Sequence, residues 1–128
     1  MSKSDDLPSP SSLSDFAGAY LVRLKQSCDL YPLEKIELLG HALLDCWRTN
    51  KQVFIFGNGG SAAIASHFSV DLTKNARIRC VNYNESDLLT CFSNDFGYDK
   101  WVEKCIEYYG DQDDAVILIS AGGNSQNM

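Results

Sequence analysis

The chain has 128 residues, 45% apolar and 22% charged, with a formal charge of −6. That length suits one globular domain burying roughly two thirds of its unfolded surface, and the composition is neither disordered nor membrane-like. The acidic balance disfavours nonspecific nucleic-acid binding, which needs a basic face.

Residues 1–12 are rich in Ser, Asp and Pro and read as a disordered tail. The tail has no apolar signal segment, and no later apolar run approaches the ~18 residues that span a bilayer. A cytoplasmic protein with no membrane partner is expected, so the sequon Asn84-Glu85-Ser86 carries no meaning. From Leu13 the apolar residues Phe16, Ala17, Tyr20, Leu21 and Leu24 recur at helical spacing, with Ser12 or Ser14 as the cap. Asp29-Leu30-Tyr31-Pro32 breaks this helix, and Pro32 suits the first turn of a second. The second helix carries a stripe of Ile36, Leu39, Leu43, Cys46 and Trp47. Residues 13–50 therefore form a helical pair whose stripes pack on a sheet or against another subunit.

Residues 51–128 read differently. Val53 to Phe56 is a continuous apolar run, Gly57-Asn58-Gly59-Gly60-Ser61 interrupts it, and Ala62 to Leu72 has helix-forming composition. This is a strand buried on both faces, a tight turn and a helix start. Ile78 to Val81 is a weak second strand, and Ser86 can cap a short helix over 87–92 that ends in Ser93-Asn94-Asp95-Phe96-Gly97. A further helix runs from about Tyr98 to Tyr109 and Gly110 ends it. Ala115 to Ile119 is a second apolar strand, followed by Ser120-Ala121-Gly122-Gly123-Asn124-Ser125, where Ser125 is expected to cap another helix. The five cysteines, Cys28, Cys46, Cys80, Cys91 and Cys105, are odd in number and contain no C-x-x-C pair. That argues against a disulfide framework or a zinc cluster, and Cys46 and Cys105 read as small core residues.

Strands alternating with helices predict an α/β fold with a parallel sheet and helices on both faces. Ligands of such sheets sit beyond the carboxyl ends of the strands, where both polar turns fall. Only three strands are legible, so the sheet is expected to be incomplete, either the front part of a larger fold or covered at its open edge. The helix start behind Ser61 favours an anion. Gly59 and Gly60 allow close backbone approach, Ser61 adds a hydroxyl and Asn58 an amide. Ser120, Asn124 and Ser125 repeat that equipment, and two hydroxyl-rich turns at one edge suit a sugar phosphate. Neither turn has the lysine of a Walker A loop. Gly57, Gly59 and Ala62 approximate the dinucleotide fingerprint, but Asn82 and Asn84 stand near the place of its acidic residue. Nicotinamide binding and plain structural turns are the remaining alternatives.

FGNGGSAA at 56–63 with His67-Phe68, SNDFGYD at 93–99 and ISAGGNS at 119–125 resemble the sugar isomerase (SIS) domain, nearest its phosphoheptose isomerase branch. The resemblance runs from about Leu33 to the end and implies a three-layer αβα, flavodoxin-like fold. For the site, it implies that Asn58, Gly59, Gly60, Ser61, Asp95, Ser120, Ala121, Gly122 and Ser125 bind a sugar phosphate such as sedoheptulose 7-phosphate. His67 matches a metal ligand, and Asp71 stands where the family has a glutamate serving as ligand or acid/base. Zinc is the implied cofactor, with Asp71 the implied catalytic group. At four residues apart, His67 and Asp71 share one helical face. The family's other ligands, a glutamine and a histidine, have no counterpart here. Ala121 and Gly122 replace two hydroxyls of the second motif, and Asn75 replaces an arginine. The implied activity is aldose–ketose isomerisation through an enediol in a homotetramer. The alternative is a noncatalytic SIS module that binds a sugar phosphate or a protein such as the bacterial replication initiator.

Overall fold

The computed structural model describes residues 11–128, so the tail expected over 1–12 lies outside the described residues except for Ser11 and Ser12. The chain divides into two compact units, one ending at Ile36 and one starting at Glu37.

The first unit holds helix α1, Leu13–Asp29. Ser12 caps it: with φ −151° and ψ 163°, its hydroxyl accepts from the Asp15 amide at 3.1 Å. The Ser11 hydroxyl donates to the Asp15 carboxylate, and this bond, with that of Ser12, holds the carboxyl below its usual pKa. After Leu30 and Pro32, helix α2 runs Leu33–Arg48, and the unit boundary falls within it.

The second unit is a parallel sheet of β1 (Val53–Gly57), β2 (Cys80–Val81) and β3 (Ala115–Ile119), in the order β2-β1-β3. Val53 pairs with both Cys80 and Ala115, and the β1–β3 ladder runs on to Gly57 and Ile119. Helix α3, Gly60–Lys74, covers one face. There Val53 and Ile55 pack with Ala65 and Leu72 of α3 and with Leu43 and Cys46 of α2. Helices α4 (Ser86–Phe96) and α5 (Trp101–Tyr109) cover the other. Phe54 and Phe56 meet Trp101, Val102 and Cys105 there, with the Phe56 and Trp101 rings edge to face at 5.5 Å. Alternation along β1 thus feeds two cores, which is why its sequence is apolar without a break. The result is the three-layer αβα arrangement expected of the sequence.

Several elements differ from the sequence reading. β2 is confined to Cys80–Val81 because the Ile78 amide donates to Leu72 O at 2.9 Å, holding the preceding residues against the end of α3. Thr73 Oγ1 then brackets the strand, donating to Cys80 O and accepting from Cys80 N. α4 runs through Asn94 and Asp95 to Phe96, so Asp95 lies on a helix rather than in a loop, and Ser86 lies inside it. α5 starts at Trp101, and residues 120–128 are irregular, with bends at 121–123 and a turn at 126–127. Of the α2 stripe only Leu43 and Cys46 pack into the core, whereas Trp47 is 54% exposed. β3 is the less covered strand, with Val116 and Leu118 exposed on the α5 side.

Cys46, Cys80 and Cys105 are buried and free, and burial pushes the Cys80 and Cys105 thiols up to about 11. Among the described residues no helix is long and apolar enough to cross a membrane.

Candidate functional site

At the carboxyl end of β1 the chain must reverse into α3 within four residues. Gly59 has φ 54° and ψ −120°, and the Ser61 amide donates to Asn58 O at 2.9 Å. This is a type II′ turn with glycine at the one position that needs positive φ. Gly57 is required for a different reason, since a Cβ there would lie 2.4 Å from both C and O of Ser61. Around Gly60, by contrast, the space a Cβ would occupy is open, leaving the backbone accessible from outside. The Ala62 amide is bonded to Gly59 O at 3.0 Å, so part of the helix N-terminus is satisfied within the turn itself.

The second turn follows β3. Gly123 has φ 65° and its amide donates to Ser120 O at 3.3 Å, which folds the segment so that the Ser120 and Ser125 hydroxyls meet at 3.1 Å. Because Gly57 pairs with Ile119, the residues that follow each, Asn58 and Ser120, leave the sheet at the same edge. The structure therefore brings the two turns together. Ala121 and Gly122 are exposed in the second turn, and the position a Gly122 Cβ would take is empty.

Asn58 is the hub. Its Oδ1 accepts from Tyr98 Oη at 2.9 Å and from Asn127 Nδ2 at 3.0 Å, while its Nδ2 donates to Asn127 Oδ1 at 2.8 Å. Both lone pairs of the carbonyl oxygen are thus engaged, and the second N–H of the amide is the group left to meet a ligand. Asn84 Nδ2 donates to Gly57 O at 2.9 Å and fastens the loop after β2 to the same turn. Tyr98, Asn84 and Asn127 were not singled out as site residues from sequence. Tyr98 lies in the SNDFGYD motif, and that was the one available signal.

Asp95 is not drawn into this hub. It accepts from Asn94 Nδ2 and Cys91 Sγ, both on its own helix. His67 and Asp71 lie on the exposed side of α3, with Nε2 3.7 Å from Oδ2, and Asn75 Nδ2 donates to Asp71 Oδ1 at 3.1 Å. At 1.5 Å per residue, His67 is roughly 9 Å and Asp71 roughly 15 Å along α3 from Ser61. A zinc ion takes four ligands. The pair supplies two, and among the described residues no group of three His, Cys, Asp or Glu side chains is placed to hold a metal. The residues present do not complete such a site.

At this edge the chain offers hydroxyls, one amide N–H and open glycine backbone, with no cation among them. Such donors bind a polyhydroxylated anion by hydrogen bonds rather than by ion pairing.

Comparison with known proteins places these features in a family. The chain is 36% identical over 101 residues to a phosphoheptose isomerase of Aeromonas salmonicida, covering 75% of this chain and 53% of the relative. It is 32% identical over 118 residues to one from Syntrophotalea carbinolica, covering 85% and 60%. It spans about half the length of the curated relatives it matches. The solved phosphoheptose isomerase of Neisseria gonorrhoeae superimposes with a TM-score of 0.80 at 29% identity, over 91% of this chain and 65% of that one. That of Francisella tularensis, at 22% identity and a TM-score of 0.79, shares the fold. The SIS domain profile matches residues 20–128, the turns at both strand ends included, and the chain belongs to the SIS domain family.

Proposed function

We propose that the protein is a phosphosugar-binding isomerase of the aldose–ketose type, or the part of one that carries the sugar-phosphate cradle, with a substrate such as sedoheptulose 7-phosphate. The observation that carries this reading is the meeting of two hydroxyl-bearing turns, Asn58–Ser61 and Ser120–Ser125, at one edge of a parallel sheet. The names of the relatives supply the reaction.

In this proposal Ser61, Ser120 and Ser125, with the amides of Gly59, Gly60 and Gly122, hold the phosphate, and the sugar chain extends along α3. Asp71 removes the proton from the carbon next to the carbonyl. The electron pair moves into the bond between the two carbons and gives an enediolate; a proton passes from the neighbouring hydroxyl oxygen to the former carbonyl oxygen, and Asp71 returns its proton to the former carbonyl carbon, so aldose and ketose interconvert with no net gain or loss of atoms. Zinc, when bound, would polarise the carbonyl oxygen. His67 would be one of its ligands, and Asp71 would serve either as a second ligand or as the base. A homotetramer and a cytoplasmic location complete the proposal. Support for assembly comes from Leu38, Leu39, Leu44 and Trp47 on α2, all substantially exposed.

A coupled turnover assay on sedoheptulose 7-phosphate tests the reaction. Asp71→Asn is expected to lower turnover by about 100-fold or more, as for the loss of a general base. Turnover unchanged in that variant would remove Asp71 from the mechanism.

One observation favours a second reading, binding without catalysis. Asp71 lies roughly 15 Å along the helix from Ser61, and its carboxylate is already engaged by Asn75 and faces His67. Calorimetry showing sugar-phosphate binding with no turnover, with or without zinc, would establish that reading.

A further inference from the structure

A reciprocal amide pair has no inherent direction. Asn58 Nδ2 donates to Asn127 Oδ1 at 2.8 Å, and Asn127 Nδ2 donates to Asn58 Oδ1 at 3.0 Å. Turning both amides over exchanges each oxygen for a nitrogen, and two bonds of the same kind form again. Among the described residues the Asn127 side chain makes no other hydrogen bond, so it does not choose between the two arrangements. The choice matters at Asn58. An amide keeps one N–H and one oxygen lone pair outside such a pair, at opposite ends of the group. In one arrangement a ligand in the turn after β1 meets the N–H, and in the other it meets the carbonyl oxygen.

Tyr98 breaks the symmetry. It lies between α4 and α5, in a turn that Lys100 closes by donating its amide to Gly97 O at 3.0 Å. Its side chain is 52% exposed, yet its Oη donates to Asn58 Oδ1 at 2.9 Å. A phenol donates more strongly than it accepts, because its oxygen lone pair is delocalised into the ring. The hydroxyl therefore holds the Asn58 carbonyl on its own side and leaves the free N–H at the other end of the amide. An N–H binds a phosphate oxygen, whereas a carbonyl oxygen facing the anion repels it.

We infer that Tyr98 is a positioning residue of the phosphate site: its hydroxyl fixes which end of the Asn58 amide faces the anion. The inference rests on the phosphosugar reading above and adds to it the residue that sets the polarity of one phosphate contact.

Tyr98→Phe keeps the ring and removes only the hydroxyl, at a position half open to solvent where folding is not at stake. Calorimetric titrations with inorganic phosphate and with sedoheptulose 7-phosphate compare the unaltered chain, Tyr98→Phe, Asn58→Ala and the double variant. Without the hydroxyl, the turned-over amide is favoured by the bond its oxygen then makes to water, and binding falls with the fraction of amides that face the right way. The expected loss in Tyr98→Phe is about fivefold for both ligands, the scale of one hydrogen bond. In the Asn58→Ala background the same substitution should change nothing, since no amide remains to be oriented. No loss in Tyr98→Phe overturns the inference. An equal loss in both backgrounds also overturns it, because Tyr98 then acts on the ligand or the fold directly. A second measurement reads the orientation without the alanine variant: the nuclear Overhauser contact between the Asn58 side-chain amide protons and the ring at position 98 should strengthen in phosphate-free Tyr98→Phe. An unchanged contact shows that the amide does not turn, and overturns the inference while leaving the phosphosugar reading standing. If the unaltered protein binds neither phosphate nor sugar phosphate, the phosphosugar reading itself falls, and the role of Tyr98 with it.

Discussion

Asn58 and Asn127 form a reciprocal amide pair, each donating through Nδ2 to the other's Oδ1, at 2.8 and 3.0 Å. Asn127 is only 7% exposed, and it is the partner that fastens the segment after β3 to the turn after β1. Asn127→Ala removes both bonds and leaves the Asn58 amide short of partners in a half-buried place. An unsatisfied buried polar group costs about 1–3 kcal/mol. A drop of that size is expected in urea unfolding, and a change below a few tenths of a kcal/mol would show that the pair is incidental to the fold.

Two glycines in the same turn predict opposite behaviour. Gly57→Ala places a Cβ against the backbone of Ser61, which cannot yield without moving the first turn of α3. Overpacking of this kind costs about 1–3 kcal/mol, occasionally more. Gly60→Ala meets nothing within 4 Å and sits inside the first turn of a helix. There alanine should be neutral or stabilising by up to about 1 kcal/mol. Thermal melts of the two variants side by side check the contrast, and equal effects would refute it.

The amino ends of the strands are joined by Asp114, whose Oδ1 accepts from the Gln52 amide at 2.8 Å and whose Oδ2 accepts from the Asp111 amide at 2.9 Å. Partial burial raises its pKa, but those two amides, with Lys51 and Arg79, outweigh it, and the carboxyl lies below its ordinary value. A depressed folded pKa stabilises the fold above the unfolded value of about 3.9, and the stabilisation is lost as pH falls through the folded value. Asp15 and Glu103 are shifted in the same direction, so the informative quantity is a difference between proteins. Asp114→Asn should be less stable than the unaltered chain at pH 7 by about 1 kcal/mol, the scale of a lost hydrogen bond. The gap should narrow toward pH 3 in urea titrations. A gap independent of pH would show that the Asp114 charge contributes nothing.

Much of the architecture was legible in residue order because its causes are local. A four-residue apolar run that ends in a glycine-rich turn reads as a strand covered on both faces, and Val53–Phe56 is buried throughout. A turn needing positive φ at one position announces itself by glycine, as Gly59 does. Each polar turn follows a strand of a parallel sheet, and that order alone puts both at the sheet's carboxyl edge. Element ends were less legible. β2 shortened because Ile78 bonds back to Leu72. α4 continues past Phe92 to Phe96, and the continued helix sets the Phe92 and Phe96 rings, one turn apart, edge to face at 5.8 Å.

The amino-acid sequence alone therefore determined the strand–turn–helix units and their order, since propensity, glycine geometry and apolar periodicity act over a few residues. Only the tertiary structure decided what closes around them. The Asn58–Asn127 pair joins positions 69 residues apart, Tyr98 reaches Asn58 across 40, and Asn84 reaches Gly57 across 27. A side-chain amide or a phenol carries no local signature of its partner. The parallel register of β1 with its two neighbours sets which ones meet, because it delivers three chain segments to the same edge of one sheet.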